Sequence, residues 1–183
     1  MTRTSTPIGR RIERAIFYHE MRDPENCLIN LFPAIDATAK KRAPPNTGVG
    51  KRIKDFIGNE EGLISIIGTN NLIQGMEIEG ITFAEAIYKY GRTSVLHEGQ
   101  LDPRLDFSGG DVSIGHTWSL NRDYLYGMIC AVILAPENRE EISPSDYRLI
   151  VSGKDWTLGT MWGERRQYIT HIRLLWAQPE LNF

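Results

Sequence analysis

The chain has 183 residues, of which 41% are apolar and 24% charged, and its formal net charge is −2. This is enough for one domain with a sizeable core, and the balance is that of a folded protein rather than a disordered one. No apolar run approaches bilayer length, and Arg10 and Arg11 interrupt any leader-like stretch, so neither a membrane span nor a secretory signal is expected.

Cys27 and Cys130 lie far apart on apolar stretches, which predicts two buried thiols in a reducing compartment and places the chain in the cytoplasm. The charge is polarised: residues 1–54 carry a net +6 and the remainder −8. A basic third on a near-neutral chain can still form a local footprint for an anionic partner.

Thr6-Pro7 opens a first helix, with Ile8, Ile12, Ala15 and Ile16 on one face and Arg10, Arg11 and Arg14 around the other side. Asp23-Pro24-Glu25 opens a second, in which Leu28, Leu31, Phe32, Ile35 and Ala39 form the apolar stripe. Pro33 is expected to kink it, and Pro44-Pro45 stops it. Val49, Ile53, Phe56 and Ile57 predict a short third helix ending near Gly58. Gly48 to Lys51 fails as a phosphate loop, because Arg52 stands where a magnesium-binding hydroxyl is required and no strand precedes it. Leu63 to Ile67 is a buried element of open type, and Met76 to Glu79 an extended lead-in.

Ile81 to Gly99 predicts one helix, with Thr82 and Glu85 as a capping box and Gly99 as its left-handed stop. A loop follows from Leu101 to Gly110. Val112 to Leu120 then alternates with period two, predicting a strand with His116 on its apolar face. Tyr124 to Ala135 predicts a buried helix closed by Pro136, with a strand as the competing reading. Tyr147–Val151 and Trp156–Met161 predict a strand pair around Ser152-Gly153. Arg165 to Trp176 predicts a last helix with Ile169, Ile172 and Leu175 or Trp176 inward.

The residues offer no zinc-protease helix, no nucleophile elbow and no spaced acidic pair, and no metal or cofactor is expected. What remains is Arg92-Thr-Ser-Val-Leu-His97. Arg14 to His19 and Arg166 to His171 have the same spacing, but only the 92–97 copy adds a polar Thr93, a helix that ends after the histidine and a glycine on each flank.

Tyr90 to Gly99, together with Asn26 to Lys41, resembles the HEPN family over roughly residues 10–105. The resemblance implies a mainly α fold: a HEPN-like helical bundle (1–105) with a small C-terminal α+β extension (106–183) packed on it as a single compact unit. Five residues of straight α-helix place Arg92 and His97 roughly 140° apart, so they share one phosphate only if the helix loosens between them or a second subunit contributes. The resemblance implies the second, a homodimer with one cleft between two bundles. Gly91 would then allow the close approach.

The implied activity is a metal-independent endoribonuclease in a toxin–antitoxin or phage-defence setting, with RNA as substrate and an antitoxin or other protein as a further partner. His97 would move the 2′-hydroxyl or leaving-group proton, Arg92 would hold the phosphate, and Thr93 would position either. Arg10, Arg11, Arg14, Lys51, Arg52 and Lys54 are candidates for the RNA track. The alternative is a non-catalytic module of the same fold that binds RNA, a nucleotide or a protein. It predicts Arg92 in an internal salt bridge and His97 buried.

Overall fold

The structure is a computed structural model and describes residues 4–110, 113–143, 145 and 147–183. It is mainly helical with three small sheets. Local signals set the helix starts. α1 (Pro7–Glu20) begins with Thr6 Oγ1 accepting the amide of Gly9, and α2 (Pro24–Arg42) with Asp23 accepting that of Asn26. α2 runs on through Pro33, whose ring lies on its exposed side.

α3 (Val49–Asn59) is followed at once by α4 (Glu61–Thr69), so the undecided 63–67 stretch is a helix that ends at left-handed Asn70. Glu61 accepts the amides of Gly75 and Met76 at 2.8 and 2.9 Å, which ties the following loop back onto α4. β1 (Glu77–Ile78) and β2 (Ile81–Thr82) pair through Glu79 and Gly80, both at positive φ as a tight hairpin requires.

The helix expected over 81–99 has its predicted caps but not a uniform interior. The Thr82–Glu85 capping box is formed, and α5 (Phe83–Ala86) leads into a π-helical segment, Ile87–Thr93, before α6 (Ser94–Glu98) and left-handed Gly99. The wide turn centres on Gly91, where a Cβ would lie 3.3 Å from Leu105 and 3.5 Å from Phe32. Gly91 therefore serves a close approach inside the chain, against α2, and not the approach of a second copy.

Beyond Gly99, β3 (Leu105–Gly109) runs parallel to β5 (Trp118–Asn121), which pairs antiparallel with β4 (Ser113–Ile114) on its other edge. The strand predicted over 112–120 thus breaks at 115–117, and its first residue, Val112, lies outside the described residues. His116 is at the turn, its side chain 96% exposed and 3.6 Å from Glu79, rather than on an apolar face. Burial of Trp118 and Leu120 comes from β5 alone.

α7 (Asp123–Leu134) is the buried helix, and Pro136–Asn138 closes it as a 3-10 turn. Twelve residues of near-continuous apolar sequence fit the middle of a core, where no polar face is needed. α7 packs on α4, α2 and α1, so one hydrophobic core runs through the segments on both sides of residue 105. The α4–α7 contact is close: a Cβ on Gly127 would lie 2.4 Å from the carbonyl oxygen of Ile64.

β6 (Arg148–Val151) and β7 (Lys154–Thr157) form the predicted hairpin, with Ser152 and Gly153 at positive φ. A short α8 (Leu158–Met161) takes the end expected of the second strand. α9 (Arg165–Leu175) buries Tyr168 and Ile172, while Leu175 is exposed.

Glu60, 1% exposed, stands at the α3–α4 junction and holds Arg42 at 2.7 Å and Arg165. Removing a buried carboxylate strands its cations, so Glu60→Ala should lower stability by about 3 kcal/mol in urea titration. Gly127→Ala should cost about 1–3 kcal/mol by forcing α4 and α7 apart, read in the same titration.

Candidate functional site

No hydrogen bond or ion pair joins Arg92, Thr93 and His97 to one another among the described residues. Arg92 is half-buried, its guanidinium 5.2 Å from the Tyr88 ring centroid and its Nη1 3.3 Å from the Tyr88 hydroxyl. His97 is exposed in the last turn of α6 and has no hydrogen-bond or ion-pair partner among the described residues. Thr93 is exposed and donates to the carbonyl of Tyr88 at 3.3 Å. Arg92 leaves the helix in its wide π turn and His97 in the α turn beyond. The arms of the alternative reading are not seen either: Arg92 lies on an aromatic ring and makes no salt bridge among the described residues, and His97 is exposed.

The six cations proposed for a nucleic-acid track fall into two groups. Those of α3 are internally paired: Lys51 with Asp55 at 2.7 Å, Arg52 with both oxygens of Asp36 at 2.6 and 3.0 Å, and Lys54 with Glu85 at 3.7 Å. Those of α1 meet only neutral groups. Arg11 donates to Asn30 Oδ1 at 3.2 Å, Arg10 approaches the carbonyl of Ser5 at 3.5 Å, and exposed Arg14 has no partner among the described residues.

Arg14 lines a surface groove of about 550 Å³ with Phe17, Tyr18, Asn30, Ser145 and Tyr147. Phe17 is 46% exposed and meets the Tyr18 ring edge-on at 5.3 Å. The acid in the groove, Glu13, is engaged by the hydroxyls of Ser143 and Ser145. The groove therefore presents rings and a free guanidinium side by side. α1 provides them because its apolar stripe is spent on α2 and α7, leaving 10, 14 and 17 outward.

A second concavity, a cleft of about 440 Å³, lies where the α1–α2 turn meets the end of β3 and the start of α7. Behind its wall, His19 stacks on Tyr126 at 5.5 Å, with Nε2 buried, unbonded and 3.8 Å from Asp123. Burial, reinforced by Arg122, holds the His19 imidazole below its ordinary pKa against the opposite pull of Asp123.

Cys27 and Cys130 are free and buried, and burial pushes the Cys27 thiol up to about 12, so it is no nucleophile. No cluster of metal-ligating side chains occurs among the described residues, and no described helix is long and apolar enough to cross a membrane.

Fold and surface together define a mainly helical domain with an arginine–aromatic groove and a separate arginine-lined cleft. The chain belongs to the Rv1289 family, whose family model matches residues 7–176. That match overturns the HEPN resemblance drawn from Tyr90 to Gly99 and Asn26 to Lys41. The homodimer, the shared cleft and the antitoxin rested on the same ground and lose it. No curated protein and no solved structure matches the chain.

His19 supplies a pH test. Its folded-state pKa lies below the unfolded one, so the unfolded chain binds the extra proton. The contribution of neutral His19 is complete above the unfolded pKa and is lost as pH falls through the folded one. The urea midpoint should drop between pH 7.5 and pH 5, and His19→Gln should show a smaller drop than the parent chain.

Proposed function

We propose that this protein binds single-stranded RNA without cutting it, through the groove along α1. The observation that carries this is the segregation of its cations: the α3 set is neutralised by acids, while Arg14 lines a groove with Phe17, Tyr18 and Tyr147, Arg11 bonds Asn30 of the same groove, and neither they nor Arg10 bond an acid among the described residues. Single strands are held by a positive track for the phosphates and by rings on which bases stack. Arg14 and the outer arginines of α1 serve the phosphates, and Phe17 offers its face to a base.

Cleavage is not part of this reading: Arg92 stacks on Tyr88, and His97 is exposed and meets no partner among the described residues. A cytoplasmic setting fits the two free thiols.

Fluorescence anisotropy with a labelled 12-nucleotide oligouridylate tests the proposal. Phe17→Ala should weaken binding by about 5- to 100-fold, the range for loss of one stacked base. Arg14→Gln should weaken it and lower the salt slope by about 0.7. Lys51→Ala and Lys54→Ala should leave affinity unchanged, and the RNA should stay intact in EDTA. Equal binding by Phe17→Ala and the parent chain would remove the groove, and cutting that disappears in His97→Ala would return the function to Arg92 and His97.

A further inference from the structure

We propose that the cleft between the α1–α2 turn and the β3–β5–α7 corner is a second binding site, for a small molecule that carries a phosphate on an apolar or aromatic body, of the size and chemistry of a free mononucleotide. It has no lining residue in common with the α1 groove and does not depend on it.

Two guanidiniums carry the argument. Arg22 and Arg122 enter the cleft from different elements, about a hundred positions apart in sequence, and neither has a hydrogen-bonding or ion-pair partner among the described residues. Elsewhere in this chain arginines that meet acids bond them, as Arg42, Arg52, Arg104 and Arg165 do. Here two acids line the same cleft, and neither bonds a guanidinium. Asp106 accepts the amide and hydroxyl of Ser108 at 2.9 and 2.8 Å, and Asp123 faces His19. Two guanidiniums on one cavity keep their donors unused among the described residues and can take an anion, and their planar forks suit phosphate oxygens.

The rest of the wall says what the anion is attached to. Phe107, Leu101 and Pro24 supply apolar surface, and the volume of about 440 Å³ lies in the range of small-molecule sites and well above what a bare ion needs. Asp123, about half exposed, offers a carboxylate to hydroxyl or amino donors on that body.

The frame is held by fixed contacts. Arg22 occupies the left-handed position after α1, φ 59°, with its amide bonded to the carbonyl of His19, and so turns the chain into the cleft. Glu25 accepts the amide of Leu101 at 3.1 Å, and Asn121 accepts that of Asp123 at 3.0 Å.

Isothermal titration with adenosine and uridine monophosphates, inorganic phosphate and uridine tests the assignment on the full chain. A monophosphate should bind at least tenfold tighter than both phosphate and nucleoside. Arg22→Gln and Arg122→Gln should each weaken it at least tenfold with an unchanged circular-dichroism melt, and Arg148→Gln, on exposed β6, should leave it unaltered. Should Arg122→Gln misfold, Arg22→Gln on its surface turn carries the test alone. Absence of saturable binding by either monophosphate at millimolar concentration overturns the site, as does affinity that survives Arg22→Gln. Inorganic phosphate binding as tightly as the nucleotides overturns the apolar-body assignment.

Discussion

The carboxylate of Glu60 is the constraint on which the arrangement of this molecule depends. It is almost fully removed from water at the α3–α4 junction, and it is satisfied only because Arg42 at the end of α2 and Arg165 at the start of α9 both reach it. A lone buried carboxylate is costly, so any packing that separates these helices leaves a charge without a partner. Arg42 then bonds Glu137 with two nitrogens and lies 5.0 Å over the Phe56 ring, and Arg165 takes the carbonyl of Phe183. Four parts of the chain that are remote in sequence are fixed around one acid. Such a network adds less to stability than its number of bonds suggests, but it allows few alternative arrangements.

The surface follows from that frame. With α3 held against α2, the apolar α7 enters the middle of the core between α2 and α4, at a distance from α4 that Gly127 makes possible. Its first turn, with Arg122 and Asp123, is left at the surface beside β3. α1 then covers α2 and α7 with its apolar stripe, and its arginines and Phe17 face out. Groove and cleft are thus the edges of one packing solution.

Helix boundaries were largely legible in the sequence because capping acts over three or four residues. Thr6-Pro7, Asp23-Pro24, the Thr82–Glu85 box, Gly99 and Ser152-Gly153 all behave as their local chemistry predicts. The interior of the 83–98 helix was not legible. Its π turn answers to the packing of Gly91 on Phe32 and Leu105, neighbours that lie in other elements. His116 was misplaced for a related reason: alternation continues on paper through a turn that breaks the strand. The arginine–histidine spacing carried no family information, since spacing along a helix does not say what a side chain faces.

By itself the sequence determined a mainly helical domain, its helix starts and stops, and a basic first third, all of them consequences of short-range chemistry and composition. Only the tertiary structure decided which of those cations remain free. Arg52 is neutralised by Asp36 and Arg42 by Glu137, across 16 and 95 positions, while Arg14 and Arg22 are left without acids among the described residues. Whether a charge is available to a ligand depends on neighbours brought by packing, and that lies beyond the reach of local pattern.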